Sequence, residues 1–539
     1  MKKASKLIAL VAALMLVAGV FAGCGENDKK QVATTDGKNF SFWTVISSAS
    51  SASIKDFNEL LLFQEMEKRT GVHIDFIHPI AGSTGSEAFM TMLSSSDRPD
   101  IIEYYWNNYT GGPEQAIDDE VIIALNDYLE DHAPNYYDFM EGEKAKANNY
   151  LYKLQATSES GLYYGFNSLN LPSTRTFSGI VIRGDLLEKW GLDIPETIDD
   201  WDKVFARAKQ EGIQKPFTCI NQGISFINPW VTFTSAYGIG QNFYVEDGKT
   251  LFAPLQPGYK EYTAQIAEWM SKGYIDSGYI TNSHDDVDGN LANGISIAAY
   301  SWISTIGKIN SASEQKIPGF KLVACPYPTA ERGKPSAYQG VNGEASDNAW
   351  GISPTCGNIE KCIEWLDYLY SDEGIVLKNF GIEGETYTVE ERDGETHYVY
   401  TDLISEPEKS GVSNIQQAMY KYFLPGTHPG PNEHIDYLYG YYPREEQREA
   451  MELWKSGEEI SMPHDMPPLS FSEEESREMA DILEIAEAEL EVAITDIILG
   501  RASMDTYDAA IEAAKENGYT RMEEIYQAAY DRYMAKLEK

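Results

Sequence analysis

The chain has 539 residues and a formal net charge of −41. Its length allows two or three domains with cores of their own. Its acidity makes nucleic acid and anionic lipid surfaces poor partners, so we expect no nucleic-acid binding and interpret the charge as a solvated exterior. After residue 24, no apolar run approaches the length of a membrane span.

The chain begins with a short export signal. Three lysines precede an apolar run over residues 7–20, which is too short and wrongly flanked for a stable membrane span. The run ends in Phe-Ala-Gly-Cys, which resembles a bacterial lipobox. That resemblance implies that residues 1–23 are a cleaved signal peptide and that Cys24 carries a lipid. Residues 24–37 then form a flexible tether. A plain signal peptide with a coincidental cysteine is the alternative.

The segment after the tether alternates strands and helices, which is typical of an α/β lobe with a parallel sheet. Such sheets bind ligands beyond the carboxyl ends of their strands. We therefore expect the loop that carries Glu103 and Trp106 to face a cleft. The predicted elements are strands over 40–46, 72–76 and 97–102, and helices over 54–69 and 87–93.

The remainder mixes strands, helices and two hairpins, and it ends in helices. Ser472 and Glu475 have the spacing of a capping box at the start of the first terminal helix. Predicted strands cover 163–166, 180–183 and 295–299, predicted helices cover 185–190, 197–212, 259–272, 359–370 and 374–380, hairpins cover 244–252 and 387–400, a loop covers 424–431, and terminal helices begin near 472, 505 and 520.

Four stretches resemble one family and follow one another along the chain in that family's order. They are SSSDRPDII at 94–102, RGDLLEKWGL at 183–192, WGISPTC at 350–356 with WLDYLYSDEG at 365–374, and EEIYQAAYDR at 523–532. Together they are similar to family 1 extracellular solute-binding proteins, and specifically to the large lipoprotein binders of Gram-positive sugar ABC importers.

The resemblance implies an α/β, two-lobed, periplasmic-binding-protein-like fold with a hinge between the lobes and a helical C-terminal extension. We expect residues 38–160 plus 301–348 in the N-lobe and 161–300 plus 349–539 in the C-lobe. The implied function is capture of a carbohydrate, expected to be an oligosaccharide, and its delivery to ABC permease subunits that work with a separate ATPase. The implied location is the outer face of the cytoplasmic membrane, reached through the lipid anchor.

A sugar site needs aromatic rings that stack on sugar faces and polar groups that bind hydroxyls. We select residues on predicted loops or lobe crossings, and for each aromatic one core packing is an equal expectation. Arg183 is expected to pair with a structural carboxylate. The candidate ligand-binding residues are Trp43, Glu103, Trp106, Tyr164, Arg183, Trp230, Trp302 and Trp350.

No metal or cofactor is expected. Residues 284–295 come nearest to a calcium-binding loop, but they have His284 and Ile295 where acidic ligands are required. Four histidines, including His428, and the four cysteines after Cys24 lack metal-binding spacing, so we interpret them as structural or solvated groups. The disulfide state of those cysteines stays open.

Enzyme motifs such as a nucleophile elbow, a zinc-binding helix or a phosphate-binding loop are absent from the sequence, so we expect a binding protein. A binder of peptides or other small solutes is the first alternative. A surface polysaccharide-degrading enzyme is the second, because paired carboxylates for glycoside hydrolysis have no fixed sequence spacing.

Overall fold

The structure is a computed structural model that describes residues 36–51, 53–79, 85–95, 97–221, 231–392, 394–424, 426, 428–432 and 434–537. In this part of the chain, two β-sheets each carry a layer of helices. The fold is therefore α/β with two lobes, as predicted, and its C-terminal region is helical. None of the described helices is both long and apolar enough to span a membrane.

The first sheet has six strands in mixed orientation. Its centre is the pairing of Ala345–Ile352, antiparallel, with both Ile101–Tyr105 and Phe166–Asn170. In spatial order the strands are Gly430–Asn432, Phe166–Asn170, Ala345–Ile352, Ile101–Tyr105, Asn39–Trp43 and His73–Ile77. The three strands nearest the N-terminus are parallel to one another, as their alternation with helices predicts.

The second sheet has four strands, in the order Leu322–Ala324, Ser178–Arg183, Ala298–Trp302 and Phe217–Thr218. Two separate hairpins pair Phe243–Glu246 with Lys249–Phe252 and Tyr387–Arg392 with Glu395–Tyr400. At the first hairpin turn, Asp247 and Gly248 have φ values of 50° and 75°. An Asp-Gly pair suits such a turn because both residues tolerate the left-handed conformation.

Helices cover both sheets. The longer ones are Leu61–Thr70, Gly85–Leu93, Gly112–Asp118, Pro134–Met140, Leu151–Ala156, Gly184–Trp190, Ile198–Gln210, Pro257–Ser271, His284–Ala292, Ile303–Ser313, Ile359–Asp367, Asp372–Phe380, Ile415–Tyr422, Ile435–Tyr441, Glu445–Lys455, Glu473–Ile498, Tyr507–Ala514 and Thr520–Leu537. The capping box of Ser472 and Glu475 forms at the start of Glu473–Ile498, as predicted.

Each sheet packs against its own apolar core. The core of the first sheet includes Phe42 and Trp365, and that of the second includes Trp201 and Trp269. Four buried free cysteines contribute to these interiors, at positions 219, 325, 356 and 362. Burial raises the pKa of the Cys325 thiol well above its ordinary value, which is typical of a packing residue.

Several local predictions are wrong in detail. The predicted strands 163–166 and 295–299 form Phe166–Asn170 and Ala298–Trp302 instead. The predicted strand 97–102 forms Ile101–Tyr105 instead, so Glu103 lies inside a strand and not on a loop. The predicted loop 424–431 ends in the short strand Gly430–Asn432, which pairs in parallel with Phe166–Asn170. The predicted helix 54–69 is interrupted at Leu60, whose backbone is extended. Each difference arises from sheet pairing or backbone geometry, which a local sequence pattern does not determine.

The predicted lobe boundaries stay a prediction, but three strands lie in the other sheet from the one those boundaries imply. Phe166–Asn170 and Gly430–Asn432 belong to the first sheet, and Leu322–Ala324 belongs to the second. The reason is that the chain passes between the sheets at segments 171–177 and 325–344, whereas the predicted boundaries lie at residues 161 and 301. A third passage follows Gly430–Asn432 and leads to a helix whose Trp454 Nε1 donates to the Cys325 carbonyl at 2.8 Å.

The last helix, Thr520–Leu537, contacts both lobes. Glu523 and Gln527 accept hydrogen bonds from the backbone N–H groups of Phe252 and Thr250, at 2.8 and 2.7 Å. Towards the end of the helix, Lys536 Nζ lies 3.2 Å from a carboxylate oxygen of Glu159. The helix therefore joins the second lobe's hairpin to the first lobe.

Candidate functional site

A cleft runs between the two sheets and has two chambers. The main chamber, of about 610 Å³, lies against the second sheet, and the minor chamber, of about 340 Å³, lies against the first. Asn342 and Gly426 line both chambers. Each volume falls in the range of small-molecule pockets, about 300–1,000 Å³. Because the crossing segments 171–177 and 325–344 border it, the cleft lies where two lobes meet.

Aromatic side chains dominate the main chamber. Trp302 ends the strand Ala298–Trp302, is 40% exposed, and has its ring centroid 5.0 Å from that of His284. Further lining comes from the helices Ile415–Tyr422 and Ile435–Tyr441. On the second of these, Tyr437 and Tyr441 are four residues apart and stack with ring centroids 5.5 Å apart. The other aromatic residues of the chamber are Phe177, Phe243, Tyr300, Tyr420 and Tyr442.

The uncharged polar groups of the main chamber are hydroxyls and amides. Tyr300 and Ser178 share a hydrogen bond of 2.6 Å, and Gln416 Nε2 donates to the Tyr441 hydroxyl at 2.6 Å. Gln241 Nε2 is buried at the chamber with no hydrogen-bond partner in the described part of the chain. A buried amide without a partner costs free energy, so a ligand hydroxyl that accepts from it gains a hydrogen bond.

Among the described residues, one cation lines the two chambers, and it is neutralised. Arg175 forms an ion pair with Glu344, and the Arg175 carbonyl accepts from Asn342 N–H at 3.0 Å. The two crossing segments are thus tied together at the cleft. Glu458 fixes the first of them further, because one carboxylate oxygen accepts from the Arg175 and Thr176 N–H groups at 2.7 and 2.8 Å. The described lining therefore offers no free cation to an anionic ligand.

Two carboxyl groups line the cleft without a cationic partner. Burial raises the pKa of Asp465, in the main chamber, to about 7, although hydrogen bonds from the Val341 and Met466 N–H groups oppose that shift. Burial also raises the pKa of Asp347, in the minor chamber, above its ordinary value. A raised carboxyl pKa means that the protonated, neutral form is favoured, so the cleft carries less negative charge than its residue types suggest.

We expect Asp465→Asn to stabilise the protein at pH 8 but not at pH 4. Between the unfolded pKa of 3.8 and the folded value of about 7, the folded state keeps a proton that the unfolded state releases, so wild-type stability falls as pH rises through this window. Because Asp465 is only partly buried, we expect the substitution to raise the free energy of unfolding at pH 8 by about 1–2 kcal/mol, measured by urea unfolding. The exposed Asp127→Asn is the control. Equal effects at both pH values would contradict this assignment.

The structure buries four of the predicted aromatic ligand contacts. Trp43, Trp106, Tyr164 and Trp350 are each at most 3% exposed, and Trp106 Nε1 donates to the Ala349 carbonyl at 3.0 Å. All four fill the core around the first sheet, because Trp43 and Trp350 lie on its strands with their side chains turned inward, and Trp106 and Tyr164 lie next to its strands. Tyr164 alone borders a chamber, the minor one. Trp230 lies outside the described residues.

Glu103 is also enclosed in the first sheet and does not face the chambers. Its carboxylate accepts from His428 Nδ1 at 2.7 Å, from Trp350 Nε1 at 3.0 Å and from Thr44 Oγ1 at 2.9 Å. Burial raises the pKa of Glu103, but these partners outweigh that effect and hold its pKa below the ordinary value. His428 is thus a structural group, as predicted, and Glu103 is its partner.

Arg183 forms the structural ion pair that the sequence analysis expects. Its guanidinium is 4% exposed, donates to both carboxylate oxygens of Asp185 at 2.7 and 2.6 Å, and lies 4.1 Å from the Phe320 ring centroid. A bidentate pair of this kind orients the start of the helix Gly184–Trp190. Of the eight predicted ligand contacts, Trp302 alone lies exposed at the cleft among the described residues.

Sequence reasoning missed most of the chamber lining. The tyrosines at 437 and 441 had a signal in their helical spacing of four, although that spacing is equally typical of core packing. Arg175, Gln241 and Asp465 had no local signal, because they come from three distant segments that meet at the cleft only in the folded chain.

No metal site emerges from the residues that the structure describes, where no group of three His, Cys, Asp or Glu side chains is placed to hold an ion. The nearest sequence match to a calcium loop, residues 284–295, folds as the helix His284–Ala292, with Ser283 and Asp286 forming its capping box. Asp288 in that helix pairs with Lys308 at 2.8 Å.

Comparisons with known proteins identify relatives among transport receptors. The fructooligosaccharide ABC transporter substrate-binding protein FusA of Streptococcus pneumoniae is 27% identical over 373 residues, which are 63% of this chain and 63% of FusA. The match thus spans less than two thirds of that relative. Lipoprotein LipO of Bacillus subtilis is 21% identical over 534 residues, 94% of this chain and 95% of LipO.

Solved structures confirm the two-lobed fold. The structure of FusA from S. pneumoniae in complex with kestose superposes with a TM-score of 0.72 and 20% identity, covering 93% of this chain and all of that chain. The family model for bacterial extracellular solute-binding proteins matches residues 48–376. With the interlobe cleft, this match shows that the chain belongs to the family of bacterial extracellular solute-binding proteins.

Proposed function

We propose that this protein captures a neutral oligosaccharide in the cleft between its lobes. The observation that carries the proposal is the chemistry of the main chamber, where aromatic rings alternate with hydroxyls and amides and the one cation is already paired. Sugar rings have apolar faces for stacking and hydroxyl rims for hydrogen bonds. The relative FusA, a fructooligosaccharide ABC transporter substrate-binding protein, supports a carbohydrate as the ligand class.

Binding of the ligand without converting it is typical of a receptor and not of an enzyme. The ligand is proposed to touch Trp302 on one lobe and the minor chamber of the other, so that the full set of contacts forms only when the lobes close. A ligand shifts such an equilibrium by its differential affinity for the closed form, and a change from 1:99 to 99:1 needs about 10⁴-fold. Small-angle scattering should therefore show compaction when a bound saccharide is added.

Membership of the solute-binding family supports a role in delivering the captured ligand to a membrane permease. We propose that the loaded protein docks on ABC permease subunits, which work with an ATPase on a separate chain. The sequence signals at residues 1–24 support a lipid-anchored receptor on the outer face of the cytoplasmic membrane, and LipO is a relative named as a lipoprotein. The lobes proposed for this motion are those organised by the two sheets.

We expect Cys24→Ala to release the protein from cells. Without the cysteine sulfur no lipid is attached, and the acidic mature surface has little affinity for anionic membranes. Membrane fractionation should find wild type in the membrane fraction and most of the variant in the medium. The neighbouring Gly25→Ala is the control. Equal membrane retention of both variants would contradict lipid anchoring.

The test of the ligand class is a binding panel. Purified protein is screened by thermal shift, then calorimetry, against neutral oligosaccharides, acidic oligosaccharides and peptides, and each mixture is assayed for new reducing ends. Binding of neutral oligosaccharides without new reducing ends is the expected result. Binding of cationic peptides alone would favour the carboxyls Asp347 and Asp465 as their partners and contradict the sugar proposal. Release of reducing ends would indicate an enzyme.

A further inference from the structure

A third cavity opens beside the main chamber. This side chamber, of about 450 Å³, lies between the helix Ile303–Ser313 and the residues around 407–416. Ser304 and Tyr441 line both it and the main chamber, so the two spaces meet at these two side chains. On the helix, Ser304, Lys308 and Ser311 are spaced three and four residues apart and therefore present one face to the side chamber.

The lining of the side chamber suits a neutral polyhydroxylated ligand. Both of its cations are paired, since Lys308 lies 2.8 Å from Asp288 and Arg444 lies 2.8 Å from Glu314. The other polar groups are the Glu408 carboxylate, which can accept from sugar hydroxyls, and hydroxyls and amides, including Gln416, whose Nε2 donates to the Tyr441 hydroxyl at the junction. An anionic ligand would have to displace an existing ion pair, whereas a sugar hydroxyl exchanges hydrogen bonds with water at little cost.

We infer that the side chamber is an extension subsite of the cleft, which takes the far end or a branch of an oligosaccharide too large for the main chamber. The inference rests on the proposed function. Its consequence is selection by length, because the part of the ligand beyond Tyr441 gains contacts that a shorter saccharide does not make. Affinity should then keep rising with chain length after the main chamber is filled.

The test uses a blocking substitution. Ala312 lines the side chamber on an exposed face of its helix, so Ala312→Trp should fill the space without disturbing the core. Ala488→Trp, at an exposed alanine of Glu473–Ile498 outside the three chambers, is the matched control. Both variants and wild type are titrated with homologous neutral oligosaccharides of two to six units, from the series that binds in the panel.

We expect Ala312→Trp to weaken binding of the longest members at least tenfold and to leave the disaccharide within twofold, while Ala488→Trp changes neither. Ser311→Trp is a second blocker in case the first variant unfolds, and thermal melting checks both. Equal affinities for long members in the blocked and control variants would overturn the extension subsite while leaving sugar capture intact. If no oligosaccharide of any series binds wild type, both the proposed function and the subsite fail.

Discussion

Glu103→Ala should lower the free energy of unfolding by about 3–5 kcal/mol, because several buried donors lose their acceptor and each such loss costs about 1–3 kcal/mol. The substitution leaves His428 Nδ1, Trp350 Nε1 and Thr44 Oγ1 without their acceptor inside the first sheet. Urea unfolding at pH 7 measures the loss. A typical domain stability of about 5–15 kcal/mol leaves the variant folded at 25 °C.

The effect of Glu103→Ala should depend on pH with a defined sign. Because the folded pKa of Glu103 lies below its ordinary value of 4.5, its charged form stabilises the fold above that pH. This contribution is lost as the pH falls through the folded pKa, so wild type and variant should converge in acid. Saccharide affinity, measured well below the melting temperature, should stay within about threefold, because Glu103 does not line the chambers.

Glu364→Ala is the matched control for this experiment. Glu364 lies on the same lobe and is 45% exposed, with Lys361 Nζ at 3.0 Å. Exposed ion pairs of this kind contribute about 0–1 kcal/mol. If the two substitutions lower the free energy of unfolding by the same amount, Glu103 is not the centre of a buried hydrogen-bond network. If Glu103→Ala abolishes binding in a folded protein, the sequence-based assignment of Glu103 as a ligand contact is restored.

Trp302→Ala should weaken binding of the captured saccharide by about 2–4 kcal/mol, which is about 30-fold to 1,000-fold in Kd. Trp302 presents a large flat ring to the main chamber, and its exposed position gives it little role in stability. Stacking on a sugar face is lost entirely with alanine and kept in part with Trp302→Phe. Isothermal titration with a saccharide from the panel measures the change.

Tyr439→Ala controls for removal of an exposed aromatic ring. Tyr439 is 45% exposed, belongs to the helix that contributes Tyr437 and Tyr441, and is not part of the chamber lining. It should leave Kd and melting temperature nearly unchanged. Trp302→Ala protein that melts like wild type and binds equally well would show that ligand recognition lies elsewhere in the cleft.

The sequence predicted correctly those features that depend on residues close together in the chain. The Asp247-Gly248 turn and the Ser472–Glu475 capping box form as their residues indicate, because both depend on neighbours only a few positions apart. The alternation of strands and helices after residue 38 indicated the α/β class for the same reason. The family resemblance then supplied the two-lobed arrangement.

The site was harder to predict because it depends on long-range packing. Trp106 and Trp350 look like surface platforms in a sequence, yet antiparallel pairing of Ile101–Tyr105 with Ala345–Ile352 encloses both rings in the first lobe. Trp302, by contrast, is the last residue of its strand and stays exposed. The residue type is tryptophan in each case, so the sequence alone does not distinguish them. Their burial depends on partner residues that are hundreds of positions away in the chain.

The helix Thr520–Leu537 has a consequence for how the chain matures. Its Glu523 and Gln527 satisfy backbone donors near residue 250, and its Lys536 meets Glu159. These contacts join residues that are 271 to 377 positions apart in the chain. The two lobes therefore complete their assembly only after Lys536 has been synthesised, whichever lobe folds first.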